Sequence, residues 1–440
     1  MFTRNHAGLV KHTASQLGPG IVGTSTDMGA VGYSFQRKSF FAKGLFWCFF
    51  SNGSMMVYCT STGGSSWSEG KSSPIRKCLH GYDFSIFFDG TYVHYACWDE
   101  GSALYYRRGT PNSDGSITWS ASEQTVASTG ATPSMITIPM IAVDSDGCPW
   151  IGWPCYTGDV VGCAFKSSTN DGTWKTASGF PYVLYDNGQT SDYGCILVVP
   201  LTNQKIYAIY IPRGGVDTLG YGRLWNGTSW GPAETIMHST YGFYGPCDFS
   251  AAAVGDDVYL TYEPMQVLSM QIVFNKRTYG SGWQYAVGSE FVVQNITNTN
   301  NNYPHGILSE GSSPGTLYCF WENDPASNHI YYKKYVNGTW DSNPTDWITE
   351  ASLTQAINYH QTPDFDDTLF NSYYDSAGGS YIGVTYTNGS SNTYQIRFAY
   401  LRLSTVPEFQ PPTLLPLYMI ITLIGAIVFK KKRVNRLSST

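Results

Sequence analysis

Apolar residues in this chain come in short runs bounded by Gly, Asn, Asp or Ser, and one grammar recurs along it. Residues 137–174 show the pattern. The run from Thr137 to Val143 reads as a strand, and Asp144-Ser145-Asp146-Gly147 turns the chain. Residues 150–153 read as a second strand and Val160 to Phe165 as a third. Asp171-Gly172 then turns into Trp174 and a fourth strand. Short strands at regular spacing with turn signals between them predict an all-β fold. Second strands recur seven times, at residues 45–50, 92–98, 150–153, 206–211, 258–263, 317–322 and 381–386. The last third strand is expected at 394–400.

The tryptophans keep step with this pattern. Trp67, Trp119, Trp174, Trp230, Trp283 and Trp340 are 52, 55, 56, 53 and 57 residues apart, and each follows a turn of small residues. Asn226-Gly227, Asn337-Gly338 and Asp171-Gly172 supply the positive φ angles that tight hairpins need. A four-stranded unit repeated every ~40–55 residues marks a β-propeller blade. The expected fold is a single β-propeller of four-stranded blades over residues 31–404. The strand count gives seven blades, with six as the alternative. The seventh unit has no Trp turn and no fourth strand of its own, so residues 30–36 are expected to close the ring from the other terminus. Closure of this kind removes exposed sheet edge. Asp144-x-Asp146-Gly147 opens like a calcium loop but lacks the remaining ligand positions and the closing Glu. It is expected to be a hairpin, and no metal or cofactor is expected.

The turn-plus-tryptophan motif resembles the Asp-box, or BNR, repeat of sialidase-like propellers, S-x-D-x-G-x-x-W. Thr60-x-Thr62-x-Gly64-x-x-Trp67 keeps the spacing with Thr in the Asp position. Asp114 stands at the Asp position before Trp119 with its glycine displaced, and Gly227 and Gly280 keep the Gly-to-Trp interval. The resemblance implies a propeller. It does not carry over the sialidase catalytic set, which holds a substrate carboxylate with three arginines and uses a Tyr–Glu pair and an Asp. Only Arg213 falls on the expected ligand face of this Arg-poor body.

Composition agrees with the strand pattern. Aromatic residues reach 15%, with 33 Tyr and 13 Trp, and such side chains pack well on pleated surfaces. Five of the 26 Lys and Arg lie beyond residue 429, so residues 1–429 carry 21 against 32 acidic residues, a net of −11. That balance excludes nucleic acid as a partner, because such proteins cluster Lys and Arg. The ten cysteines form no C-x-x-C pair, and most sit inside apolar strand patterns as small hydrophobes. Cys155 and Cys163 flank a short turn and are the best candidate disulfide.

The C-terminus changes the picture. Pro407-Glu408-Phe409 stands in a linker, residues 405–412. An uncharged apolar run of 17 residues follows, from Thr413 to Phe429, and then Lys430-Lys431-Lys432-Arg433. The run is at the low end of the ~17–25 residues that span a bilayer, and the basic cluster sets the cytoplasmic side. A transmembrane helix at 413–429, a cytoplasmic tail at 430–440 and an ectodomain on the cell surface are expected. The tripartite tail resembles the PEF-CTERM sorting signal of archaeal surface proteins. That resemblance implies processing near the motif by an archaeosortase. Residues 1–30 form an N-terminal segment without the apolar run of an export signal, and the chain is expected to lack its true N-terminus.

In a propeller, the loops entering first strands and those joining second to third strands share one face around the axis, where ligands bind. Asp83, Asp192, Asp248, His305 and Asp364 fall at first-strand starts, with Tyr82, Tyr193, Tyr244 and Tyr303 close by. Asp99, Arg213, Glu263 and Glu322 fall at second-strand ends. Acidic and aromatic residues thus converge on one mouth, a setting suited to sugars. The leading expectation is a surface-anchored propeller that binds glycans or envelope partners without catalysis. One alternative is a glycoside hydrolase or lyase using paired carboxylates among Asp83, Asp248, Glu263 and Glu322. The other is a purely structural envelope protein. Gly311-Ser312-Ser313-Pro314-Gly315 matches a nucleophile-elbow pattern, but Pro314 has no N–H to serve an oxyanion, so a hairpin is expected.

Overall fold

Seven apolar runs become the second strands of seven blades, and burial explains their composition. Leu45–Ser51 and Ile206–Ile211 are buried at every position. Neighbouring blades cover such a strand on both faces, so apolar residues run on without alternation. Farther from the axis this pressure disappears, and Gln124–Ser128 contains no buried residue.

The computed structural model describes residues 16–33, 35–99, 101, 103–128, 138–156, 160–186, 195–212, 218–239, 249–264, 270–296, 307–310, 315–323, 329–349, 371–374, 381–388 and 393–402. The first strand is β1 (Gln16–Ser25). Blade one holds β2 (Ser39–Ala42), β3 (Leu45–Ser51), β4 (Met55–Ser61), β5 (Ser68–Glu69) and β6 (Arg76–Lys77). Blade two holds β7 (Phe84–Phe88), β8 (Val93–Trp98), β9 (Ala103–Pro111), β10 (Ile117–Trp119) and β11 (Gln124–Ser128). Blade three is β12 (Met140–Val143), β13 (Pro149–Tyr156), β14 (Val160–Lys166) and β15 (Tyr182–Asp186). Blade four is β16 (Cys195–Pro200), β17 (Ile206–Ile211), β18 (Thr218–Trp225) and β19 (Glu234–Ser239). Blade five holds β20 (Phe249–Val254), β21 (Asp257–Tyr262), β22 (Met270–Thr278), β23 (Gly282–Trp283) and β24 (Phe291–Ile296). Blade six holds β25 (Ile307–Glu310), β26 (Leu317–Asn323), β27 (His329–Val336), β28 (Thr339–Trp340) and β29 (Thr345–Thr349). Blade seven has β30 (Asn371–Tyr374), β31 (Tyr381–Asn388) and β32 (Tyr394–Arg402). In each blade antiparallel neighbours run outwards in chain order, and two short strands share the fourth position in blades one, two, five and six.

The strand that completes blade seven is β1, not residues 30–36. It pairs antiparallel with β32, from Gln16 opposite Leu401 to Ser25 opposite Tyr394. The ring therefore closes with three strands from the C-terminal side and one from the N-terminal side. Residues 30–33, 35 and 36 are turns and loop instead.

The recurring tryptophans clasp neighbouring blades. Trp67 meets Phe398 of blade seven at 5.2 Å between ring centroids, and Trp174 meets Tyr106 of blade two at 5.4 Å. Trp230 stacks on Tyr182 of blade three at 5.4 Å, Trp283 meets Tyr207 of blade four at 5.9 Å, and Trp340 meets Phe274 of blade five at 5.1 Å. Trp119 differs and lies across Tyr95 of its own blade. The core accordingly sits between blades. Trp98, Leu104 and Tyr106 of blade two pack with Ile151, Trp153 and Phe165 of blade three.

Polar groups reinforce these contacts. The Tyr207 hydroxyl donates to Glu234 Oε2 at 2.7 Å, and Arg277 of blade five grips the same carboxylate at 2.9 and 2.7 Å. Tyr95 donates to Glu123 and Tyr262 to Glu290 in the same manner. The Asp144 turn is the expected hairpin. Its Oδ1 accepts from the Asp146 and Cys148 amides, and Oδ2 accepts from Trp150 Nε1 at 2.9 Å.

The register sets Cys155 opposite Val161 and Cys163 opposite Trp153. The two cysteines are thus diagonal neighbours, with α-carbons about 7–8 Å apart, beyond ordinary disulfide reach. The one helical element among the described residues is the short turn Gly81–Asp83, and no described helix is long and apolar enough to cross a membrane. Residues 404–440, with the PEF motif and the apolar run, lie outside the described residues, as does Gly311 to Pro314.

Candidate functional site

The loop from β6 to β7 and the turn from β3 to β4 meet on one face, as propeller geometry requires. Ser51 Oγ donates to the Cys78 and Leu79 carbonyls at 3.0 and 2.7 Å, and the Cys78 amide donates to Ser54 O at 3.0 Å. The end of β1 joins them, with the Thr26 amide on Asn52 O at 3.3 Å. From there residues 26–38 must travel from the outer edge of blade seven to the innermost strand of blade one. They do so across the mouth of the ring.

That crossing segment is deeply packed. Tyr33, Gln36 and Lys38 have no exposed surface, and Phe35 has 4%. Gln36 Nε2 donates to Tyr82 O and Pro139 O, each at 3.0 Å, at the entries of blades two and three. Phe35 stacks on Phe249 at the entry of blade five, centroids 5.2 Å apart. The backbone runs close as well. A Cβ on Gly81 would fall 2.2 Å from Ala30 O, so glycine is required there. Among the described residues, this segment thus packs against the entries of blades two, three and five.

On the rim of this mouth stand Tyr82 and His80. Their rings stack at 4.7 Å with an 11° tilt, Tyr82 is half-buried, and the His80 side chain is 39% exposed. Behind Tyr82 the stack continues to Tyr33 at 5.8 Å and then to Phe35 at 5.9 Å. A continuous ladder of rings thus runs from His80 at the surface to Phe249 across the axis. Asp27 fixes the outer end. Its Oδ1 lies 3.1 Å from His80 Nδ1, and its Oδ2 accepts from the Gly81 amide at 3.2 Å. A carboxylate on Nδ1 sets the ring orientation.

Of the residues expected here, Tyr82 and Asp83 lie at this mouth. Asp83 has no exposed surface, and its Oδ2 accepts from the His80 amide at 3.0 Å, so it shapes the turn that carries His80 and Tyr82. Asp99 is taken up by its own turn, with Oδ1 accepting from the Gly101 and Ala103 amides at 2.9 and 3.1 Å. Glu263 is buried at the end of β21, with 1% exposure. Glu322 lies in β26 opposite Ile330. Asp192, Tyr193, Arg213, Tyr244, Asp248, Tyr303, His305 and Asp364 lie outside the described residues. Asp27, Gln36 and His80 went unrecognised in the sequence. His80 had a usable signal, standing three residues before an entry aspartate and two before Tyr82. Asp27 and Gln36 had none, because their place depends on the path of residues 26–38.

Beneath the rim lies one buried cation. Lys38 Nζ donates to Phe84 O and sits 3.7 Å from the centroid of the Phe84 ring. Burial lowers its ammonium from the ordinary 10.5 to about 7, while the neighbouring Cys78, Cys97, Asp83 and Cys48 groups act in the opposite direction. No group of three or more His, Cys, Asp or Glu among the described residues is arranged to hold a metal ion.

No family model matches the chain, and no curated protein sequence matches it. Solved structures do match its fold. An ulvan lyase, described as a new family of polysaccharide lyase, PL25, and bound to -[GlcA(1-4)Rha3S]-, is similar with a TM-score of 0.52 at 10% identity. The match covers 87% of this chain and 95% of that one. A second PL25 ulvan lyase structure matches with a TM-score of 0.51 at 10% identity, over 87% and 95%. An Aleuria aurantia lectin in complex with alpha-methyl-L-fucoside matches with a TM-score of 0.42 at 12% identity, over 82% and 90%. At these identities the likeness is one of fold.

Proposed function

We propose that this chain is a surface-displayed propeller that binds glycan on the rim formed by His80, Tyr82 and Asp27. The observation that carries the reading is the stacked His80–Tyr82 pair, half-open to solvent and backed by a ring ladder that holds it flat. An aromatic plane with a polar edge suits the C–H face and hydroxyls of a sugar. The carboxylates favour binding over glycosidase chemistry, since Asp83 and Asp99 are engaged by backbone amides and Glu263 is buried. A glycan array on the purified chain tests the reading. Binding should weaken roughly fivefold to tenfold in Tyr82→Ala. An array without signal, or signal untouched by Tyr82→Ala and His80→Ala, overturns it.

One observation favours a second reading. The Asp27 carboxylate 3.1 Å from His80 Nδ1 is an arrangement that would orient a general base, and the likeness of fold to a polysaccharide lyase supports this reading. In β-elimination the base removes the proton beside a uronate carboxyl and a C=C bond forms. The glycosidic oxygen leaves and takes up a proton. Accumulation of unsaturated uronate, lost in His80→Ala, would replace the binding reading with this one.

Display rests on the C-terminal pattern. The 413–429 run with its basic flank is the proposed anchor, and Pro407-Glu408-Phe409 the proposed processing signal, of the type read by archaeosortases. Cell fractionation with and without residues 413–440 tests this. Equal recovery of both forms in the soluble cytosolic fraction refutes it.

A further inference from the structure

Three histidines lie within 3.1 Å of an aspartate carboxylate among the described residues: His80, His94 and His329. His94 has no exposed surface and spends both ring nitrogens, on Asp89 and on the Tyr106 hydroxyl, so it belongs to the packing of blade two. His80 and His329 keep exposed surface, and they share a local sequence. His80-Gly81-Tyr82 and His329-Ile330-Tyr331 each set a tyrosine two residues after the histidine. In both, the rings stack, at 4.7 Å and 11° in the first pair and at 5.7 Å and 17° in the second. In both, an aspartate meets Nδ1. We propose that His329, Tyr331 and Asp346 form a second glycan site on blade six, for a neutral pyranose residue. The choice of ligand rests on the reading of the His80–Tyr82 rim as a glycan site.

The same three groups are assembled here from strands rather than from loops. His329 opens β27, and residues two apart in a strand share a face, so its ring falls beside that of Tyr331. Tyr331 stands opposite Trp321 of β26, and their rings stack at 6.3 Å and 20°. Trp321 is 1% exposed and belongs to an apolar cluster with Ala252 and Val293 of blade five. A ring ladder thus runs from a partly exposed histidine into the core, as it does behind Tyr82. Asp346 lies on β29 opposite Tyr331, a diagonal neighbour of His329, and its Oδ2 comes within 2.7 Å of His329 Nδ1. The Asp346 side chain is 48% exposed and that of His329 24%. His329 stands where β27 leaves its connection from β26, one of the second-to-third connections that share the ligand face.

This geometry selects a class of sugar. A flat ring pair offers a surface to the C–H face of a pyranose. The carboxylate uses Oδ2 on His329, which leaves Oδ1 to accept from a sugar hydroxyl. An exposed carboxylate also repels a uronate or a sulfate ester. Lys333, next on the same strand face, does not offset it, because its ammonium is buried and donates to Val293 O at 2.7 Å. Two sites on one rigid ring make the chain bivalent, so a surface dense in glycan holds it more tightly than either site alone does.

The test uses the full chain with polymer-linked galactose, glucose, mannose and N-acetylglucosamine, and with polymer-linked glucuronic acid for comparison. Wild type should bind at least one neutral polymer and cross-link it into a turbid suspension, which one site per chain cannot do. Tyr331→Ala and Asp346→Asn should each abolish the turbidity and weaken binding to the immobilised polymer by roughly tenfold or more. The remaining binding should vanish when Tyr82→Ala is added. Asp346→Asn changes an exposed side chain, so it decides the matter even where Tyr331→Ala fails to fold. Loss of all binding in Tyr82→Ala alone, with Asp346→Asn unchanged, overturns the second site and leaves the rim reading standing. Binding that survives Tyr82→Ala and His80→Ala but is lost in Asp346→Asn supports the second site and refutes the rim. Silence with every neutral polymer, or a preference for glucuronic acid that depends on Tyr331, overturns the proposal.

Discussion

Replacing Lys38 with Met tests the buried ammonium directly. Lys38 has no exposed surface, and burial brings its pKa from 10.5 to about 7. The unfolded chain keeps a value near 10.5, so between about pH 7 and pH 10.5 the unfolded state carries the extra proton. Stability must then rise with pH across that window. Below it the full penalty applies, on the order of 5 kcal/mol at 1.36 kcal/mol per unit. Between about pH 6 and pH 9 the wild type should gain roughly 2–3 kcal/mol that Lys38→Met does not. Cys48, Cys78, Cys97 and Asp83 face the same spot in both proteins. The absolute effect of the substitution is smaller than the penalty. Met leaves Phe84 O without its donor, which costs about 1–3 kcal/mol, and removes the cation from the Phe84 face. Urea titrations at the two pH values measure the slope. All 13 tryptophans lie between residues 47 and 347, so their fluorescence reports on the propeller alone. A wild-type-minus-variant difference that is flat or falls with pH would refute the reasoning.

Three further outcomes follow from contacts described above. Gln36→Ala strips donors from Tyr82 O and Pro139 O and should cost about 3 kcal/mol, read from the urea midpoint. A change below about 0.5 kcal/mol would show that the crossing segment does not tie blades two and three together. At Glu234, burial pushes the carboxyl up, but bonds from Arg277 and Tyr207 prevail and hold it below its usual value. Its stabilisation is therefore present above about pH 4.5 and lost as pH falls through the lowered folded value. Glu234→Gln should lose roughly 1–3 kcal/mol at neutral pH and lack that acid step. Deleting residues 1–25 uncovers the edge of β32, and size-exclusion chromatography should show oligomers or aggregate. A monodisperse monomer would mean that the ring closes without β1.

Sequence pattern made some elements plain and hid others for physical reasons. The seven second strands stood out because burial on both faces removes every polar position, as in Ile206–Ile211. The tryptophans stood out because each clasp needs one large ring after one tight turn. Strand β1 did not, because Gln16–Ser25 contains three glycines and a proline, and its pairing is interrupted by two register shifts. It is a strand because β32 offers a partner, and no local propensity announces that. Tyr82 and Asp83 were visible from the rule that entry loops share a face. Asp99 was visible for the same reason, but the turn chemistry that favours Asp there also consumes its carboxylate. Asp27 and Gln36 reach the mouth only because residues 26–38 cross it, a fact of tertiary path rather than composition.

The closing strand also fixes an order of events during synthesis. β1 is made early, yet its nearest partner contact, Ser25 with Tyr394, lies 369 residues downstream. At ~5–20 residues per second a ribosome needs roughly 20–70 seconds to supply it. Throughout that interval blades one to six can stack on one another while the ring remains an open arc with two bare ends. A nascent chain stalled anywhere before residue 394 cannot seal, and its unpaired edges mark it as unfinished. The last blade thus acts as a completeness check, since only a chain translated through β32 gives β1 its edge.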